Sequence, residues 1–291
     1  MEREIFYSLL LFSLGVQLLA IFFSYNFLAA KIEVPSYQPF GNVTVTQAGL
    51  NAAALVLPAI VMTLVLIALL KIFGFKLFTY LLSVLPLFIA VLANPLFVYT
   101  TVNNYLPFMA EPIALLSTAL LAVAIFYSTI KNIHWLSSVS AFVISSEVGT
   151  LFALMLQPPT LFLVPLAFAF YDIYAVFAGP LKIFISELTK SRFPRARKIT
   201  VKKIKQSINL GVFATNIGGF TIGTGDLVFY SLVTAAAFVM KGVVAAVATM
   251  AAVNVGVALT FFILMKYKKV LPGLPIPIFL GVTTLVIFKY F

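Results

Sequence analysis

The 291-residue chain contains no cysteine and a single histidine, His134. Without cysteine there can be no disulfide framework, no thiolate nucleophile and no cysteine metal site. One histidine also excludes a zinc hydrolase of the His-Glu-x-x-His kind, so neither a metal nor another cofactor is expected. Charge is equally scarce: charged residues make up 9% of the chain, and aspartate occurs only at Asp172 and Asp226. Soluble domains carry about 25% charged residues. Here 63% of residues are hydrophobic and the mean hydropathy is +1.13. A soluble fold of this length has no interior large enough for so many apolar side chains, so a bilayer must surround them.

Long apolar runs are what the chain has instead. A helix needs about 20 apolar residues to cross a hydrocarbon core of ~30 Å. Nine segments meet that length, near 5–29, 52–70, 77–99, 109–130, 134–156, 160–184, 211–240, 242–265 and 271–290. Their continuity, without inside-outside alternation, favours helices over a barrel. The first run, from Ile5 to Ala30, is too long for a signal-peptide core of about 7–15 residues and reads as a membrane helix. The expected architecture is an all-α membrane protein of nine transmembrane helices. It forms a single domain over 1–291, with helices 1–5 (1–156) as scaffold and helices 6–9 (157–291) as the catalytic part. No repeat of 20–50 residues and no inverted pair of halves is visible.

The net charge of +11 has a topological explanation. With the N-terminus in the cytoplasm, the inner side receives Arg3, Lys71, Lys76, Lys131, Lys266, Lys268 and Lys269. It also receives eight bases of the connection after the sixth segment: Lys190, Arg192, Arg195, Arg197, Lys198, Lys202, Lys203 and Lys205. Only Lys31, Lys241 and Lys289 fall outside, while Lys182 snorkels inward from a helix end. This is a positive-inside bias, which sets nucleic acid aside as a partner and places the C-terminus outside the cytoplasm. The basic connection is expected against anionic headgroups of the bilayer. The longest outer segment, about 30–51, includes Asn42-Val43-Thr44, a glycosylation-type tripeptide that is common by chance.

The acidic inventory is short. Glu2, Glu4, Glu33, Glu111 and Glu187 fall at termini, loops or helix ends, leaving Glu147, Asp172 and Asp226 inside apolar segments. An ionisable group there costs at least ~2.5 kcal/mol on insertion scales, so function is its default reading. Counted from the outer ends of consecutive helices, Asp172 and Asp226 lie at similar depths, roughly 18 and 21 Å at ~1.5 Å per residue. Two carboxyls at one depth on neighbouring helices can meet and share a proton. One then takes a proton from water while the other polarises a peptide carbonyl. A neutral structural pair, or a proton relay in a transporter, fits that spacing equally well. Glu147 has two readings, a role near the catalytic cavity or a protonated, hydrogen-bonded structural side chain. His134 beside Trp135 reads as an interfacial anchor.

The local sequences separate these alternatives. The first aspartate stands in Phe170-Tyr171-Asp172-Ile173-Tyr174-Ala175-Val176, followed by Gly179-Pro180-Leu181-Lys182. The second stands in Gly223-Thr224-Gly225-Asp226-Leu227-Val228-Phe229-Tyr230-Ser231, and the last segment opens with Leu271-Pro272-Gly273-Leu274-Pro275-Ile276. Together they resemble the presenilin and signal-peptide-peptidase family of intramembrane aspartyl proteases. That family carries Tyr-Asp, Gly-x-Gly-Asp and Pro-Ala-Leu on its sixth, seventh and ninth helices. The likeness is specific over about 165–290.

The resemblance implies that Asp172 and Asp226 are the catalytic pair. It also implies that Tyr171, Gly223, Gly225, Pro272, Gly273, Leu274 and Pro275 line the substrate site. Gly273 departs from the family's alanine. The inside-basic charge pattern and Gly179-Pro180-Leu181 are similar to the presenilin branch, and the compact length to its archaeal members, which implies a prokaryotic cell membrane. Single-span membrane proteins are the implied substrates; a homo-oligomer stays open. Gly211, Gly218, Gly219, Gly223 and Gly225 crowd the approach to Asp226 and imply a partly unwound start to that helix. An unfolded substrate segment is expected to add as a strand beside Phe220-Thr221-Ile222. The rival reading from another class is a proton-coupled transporter or cation leak that uses the same aspartates. Prepilin peptidases share Gly-x-Gly-Asp but have fewer helices and an N-terminal first aspartate. Rhomboid-type serine chemistry needs a histidine within the membrane.

Overall fold

The structure is a computed structural model that describes residues 2–41, 44–131, 133–178, 211–217, 220–267 and 271–290. The glycosylation-type Asn42, the Gly179-Pro180-Leu181 segment, the basic connection at 190–205 and Gly218–Gly219 lie outside the described residues. The helices are α1 (Glu2–Ala29), α2 (Val45–Asn103), α3 (Ala110–Lys131), α4 (His134–Met155) and α5 (Thr160–Ala178). A short hairpin follows, β1 (Ala214–Ile217) and β2 (Phe220–Gly223), then α6 (Thr224–Tyr267) and α7 (Pro275–Tyr290).

The expectation of nine crossings is corrected. Among the described residues seven helical segments are long and apolar enough to span a bilayer: Arg3–Ala29, Val45–Phe73, Val84–Asn103, Pro107–Lys131, His134–Met155, Thr160–Phe177 and Thr224–Tyr267. The difference arises at the C-terminal end. The segments expected at 211–240 and 242–265 form one 44-residue run, α6, which resumes directly after the single non-helical residue Gly242 (φ 79°, ψ −163°). Only Lys241 and Gly242 interrupt the apolar sequence there, too little to make a connecting segment. The described residues of the expected 211–240 helix up to Gly223 form a 3-10 turn at Gly211–Phe213 and the hairpin. The segment expected at 271–290 becomes the sixteen-residue α7, about 24 Å long and short of the ~30 Å core. Pro272 and Gly273 keep its first residues out of the helix, which starts at Pro275, a residue suited to a first helical turn. With the count goes the alternation on which the sidedness of the termini rested, so a cytoplasmic N-terminus and an extracytoplasmic C-terminus no longer follow.

α6 is the centre of the bundle. Every residue from Phe229 to Phe238 is buried, and α1, α4 and α7 pack around it. Small side chains permit this: Ala235, Ala236 and Ala237 are fully enclosed, and Gly149 on α4 lies against the Val228–Leu232 backbone without room for a methyl group. In a bilayer the apolar effect does not drive helices together, so close backbone packing and interhelical hydrogen bonds hold them. The Thr234 hydroxyl donates to Gln17 Oε1 on α1 (2.8 Å), and the Ser231 hydroxyl donates to the Ser145 carbonyl on α4 (2.8 Å). Ser146 and Thr150 donate to the α1 carbonyls of Val16 and Ala20 (3.1 and 3.2 Å).

The remaining intramembrane acid belongs to this scaffold. Glu147 is completely buried on α4, and its Oε1 accepts from Asn94 Nδ2 on α2 (2.7 Å). Asn94 Oδ1 accepts in turn from Ser117 and Thr118 on α3 (2.9 and 3.0 Å). The residues therefore link α2, α3 and α4, as a structural glutamate would. His134 and Trp135 are exposed at the start of α4.

α7 reaches the bundle through glycine. A Cβ on Gly256 of α6 would run into the Pro277 backbone of α7, and one on Gly281 would meet Val253 at 2.6 Å. Overpacking of this kind costs about 1–3 kcal/mol. Gly256→Ala should therefore lower the thermal unfolding midpoint of the detergent-solubilised protein, whereas Gly49→Ala, where a Cβ meets nothing within 4 Å, should leave it near the wild-type value.

Candidate active site

Asp226 lies in the first turn of α6, not mid-helix, because the chain is extended through β2 up to Gly223. A carboxyl at a helix N-terminus faces unpaired backbone N–H groups and the positive end of the helix dipole. The Asp226 carboxyl lies back against Gly223 at the strand-to-helix corner. That corner is tied down further: the Thr224 hydroxyl donates to the Val212 carbonyl, and β1 and β2 pair antiparallel with Thr215 opposite Ile222. Gly211 supplies a left-handed residue (φ 62°) where the chain turns into β1. The glycine-rich approach to Asp226 is thus a 3-10 turn followed by extended chain over its described residues up to Gly223.

Asp172 comes from α5, two turns from that helix's described end. Its neighbour Tyr171 turns elsewhere, with the phenol donating to Thr63 Oγ1 on α2 (2.9 Å), which ties α5 to α2. Among the residues expected at the substrate site, Tyr171 is therefore engaged in joining helices.

The Pro272-Gly273-Leu274 turn ahead of α7 touches both aspartates. The Leu274 amide donates to Asp172 Oδ2 (3.0 Å), and the Gly273 amide faces the same carboxylate. A Cβ built on Gly273 would come 2.5 Å from Asp226 Oδ2 and 3.1 Å from its Cγ. One two-residue stretch thus hydrogen-bonds one carboxyl through the Leu274 amide and sets its glycine beside the other, with the two groups within electrostatic reach. The departure from the family's alanine now has a steric account: a methyl group at 273 would collide with Asp226 as it stands. Leu274 and Pro275 are buried behind the turn, and Pro272 and Gly273 are half-buried.

A cavity of about 130 Å³ opens beside Asp226. Ile222 and Thr221 of β2 wall one side, Leu9 and Ser13 of α1 another, and Val257, Thr260 and Phe261 of α6 a third. Gly273, Tyr230, Leu264 and Leu271 complete it. Gly223 approaches Asp226 at ordinary contact distance, while Gly225 is exposed with open space where a side chain would go. Nothing in the sequence marked Leu9, Ser13 or Thr260, since each is an unremarkable residue of an apolar helix. Tyr230 had a signal: it follows Asp226 by four residues and so shares its helix face.

Comparison with known proteins follows the same residues. The presenilin family model matches residues 195–291, which contain Asp226, β2 and the Pro272-Gly273-Leu274 turn. Presenilin-B of Dictyostelium discoideum is 36% identical over 129 residues, covering 42% of this chain and 24% of that protein. A solved presenilin family intramembrane aspartate protease superposes over 98% of both chains with a TM-score of 0.58 at 17% identity, a likeness of fold. The C-terminal third of the chain is thus similar to presenilins in sequence, and the chain as a whole is similar in fold to a presenilin family intramembrane aspartate protease. It is an integral membrane protein of that fold, and it spans about a quarter of the length of the curated presenilin it matches.

The steric reading of Gly273 can be tested without reference to activity. Gly273→Ala should cost about 1–3 kcal/mol of stability through its contact with Asp226. The three nearest atoms to the added methyl all belong to Asp226, so the cost should fall below about 0.5 kcal/mol in an Asp226→Ala background. Equal costs in both backgrounds would place the clash elsewhere.

Proposed function

We propose that this chain is an intramembrane aspartyl protease that hydrolyses peptide bonds of membrane-spanning substrates with Asp172 and Asp226. The observation that carries this reading is the Gly273–Leu274 stretch in contact with both carboxyls, which holds them as neighbours.

The chemistry needs no metal. Two facing carboxyls in a low dielectric share one proton and act as a unit. The ionised member removes a proton from a water as its oxygen attacks the scissile carbonyl carbon, and the protonated member donates to the carbonyl oxygen. A tetrahedral diol results. Its collapse breaks the C–N bond, with one hydroxyl proton returning to a carboxylate and the leaving nitrogen receiving a proton from the other carboxyl. The pair ends with the single shared proton it began with.

A helical peptide bond is shielded by its own hydrogen-bond ladder, so the substrate must unwind before water can attack. β2 has β1 on one edge, and among the described residues nothing pairs with the other. An extended stretch of a single-span protein adding to that edge would pass the cavity that Thr221, Ile222 and Asp226 line. In this reading 1–156 serve as scaffold and 157–291 carry the chemistry.

Cleavage of a single-span reporter by purified protein tests the activity, and Asp226→Ala should lower its rate by on the order of 10⁴-fold. A transporter using the same aspartates would leave the reporter intact and ignore a peptide mimic bearing a hydroxyl between two peptide units. Ile222→Pro removes a backbone donor that faces Thr215 of β1, loosening the strand that the substrate would join, and should reduce cleavage. Unchanged cleavage in that variant would remove strand addition from the mechanism.

A further inference from the structure

Tyr230 takes no part in the chemistry above, yet it stands at the junction of the two aspartates. It is buried on α6, one helical turn beyond Asp226, and shares the cavity with it. Its phenol donates to the Gly273 carbonyl at 2.9 Å. That carbonyl and the Leu274 amide belong to one peptide group, and the same Leu274 amide donates to Asp172 Oδ2 at 3.0 Å. A trans peptide directs its C=O and N–H to opposite sides. The phenol and the Asp172 carboxylate therefore grip the two ends of a single peptide plane.

We propose that Tyr230 is a positioning residue that sets the placement of Asp172 relative to Asp226 through the 273–274 peptide. Asp226 and Tyr230 ride on the same rigid helix, so the phenol carries the position of that helix to the turn. The turn passes it to Asp172 on α5 through the Leu274 amide. Polarisation along the chain, from phenol to carbonyl to amide to carboxylate, strengthens each bond in it. The peptide needs this restraint because its first residue is glycine. With no Cβ, Gly273 lets the plane rotate easily, and rotation would point a carbonyl, not an amide, at Asp172. The clash that bars a methyl group at 273 means that side-chain bulk cannot supply the restraint, and the phenol does so from the far side.

The ordinary alternative is a buried tyrosine whose ring fills space and whose hydroxyl takes whatever acceptor is near. Tyr230→Phe separates the two, since it keeps the ring and removes only the hydrogen bond. The inference rests on the protease reading, and the assay is the purified full chain with a single-span reporter, read alongside binding of the hydroxyl-bearing peptide mimic. A misplaced catalytic group costs roughly 10–100-fold in rate. The expected result is a kcat lower by about that factor, KM within about twofold, mimic affinity lower in step with kcat/KM, and an unfolding midpoint close to wild type. A kcat equal to wild type overturns the inference. So does a loss of activity matched by an equal loss of folded protein, or one that appears only in KM. A wild-type chain that neither cleaves the reporter nor binds the mimic overturns the protease reading, and this inference falls with it.

Discussion

Two carboxyls inside a bilayer become neighbours only if the fold holds them there, because each is costly to bury and the two repel once either is fully charged. In this chain the Gly273–Leu274 peptide supplies that restraint. Its amide engages Asp172, its glycine leaves no room for a methyl group beside Asp226, and its carbonyl receives the Tyr230 phenol. Three elements distant in sequence, α5, the start of α6 and the turn before α7, converge on one peptide plane. The rest of the fold brings that plane to its place.

α6 is the means of doing so. Its buried middle, with Ser231, Thr234 and three consecutive alanines, admits α1 and α4 at close range and hydrogen-bonds to both. Its glycine at 256 lets the short α7 lie directly on it, which delivers the turn to Asp226. The hairpin before α6 ends the extended chain at Gly223, so Asp226 enters at a helix N-terminus among unpaired amides. A carboxyl there keeps polar company, with no basic partner among the described residues. The buried Glu147 receives different treatment, in an amide and hydroxyl cluster that joins three scaffold helices apart from the cavity.

Much of the site was legible because charge in a membrane is rare enough to be counted. With two aspartates in 291 residues, both inside apolar runs, Asp172 and Asp226 select themselves. The glycines before Asp226 signalled a break in the helix, and the chain there is indeed extended. The hairpin itself carried no pattern, since Ala214–Ile217 and Phe220–Gly223 are too short for alternation to register. Tyr171, which the resemblance implies at the substrate site, has its hydroxyl on Thr63 of α2. Adjacent residues on a helix point about 100° apart, so a motif partner need not share its neighbour's direction.

Composition alone determined that this is a membrane protein without thiol chemistry, because hydrophobicity and residue inventory are independent of conformation. It also determined which acids must be accounted for, since the cost of burying them does not depend on the path of the chain. Where the apolar sequence is cut into spans was decided by tertiary structure. A run of apolar residues looks the same whether it crosses once, breaks at Gly242 or stops at sixteen residues, and only packing against neighbours distinguishes these. The meeting of Asp172, Asp226 and Tyr230 on one peptide belongs there too, for it depends on contacts between residues as much as 102 positions apart, which no local pattern encodes.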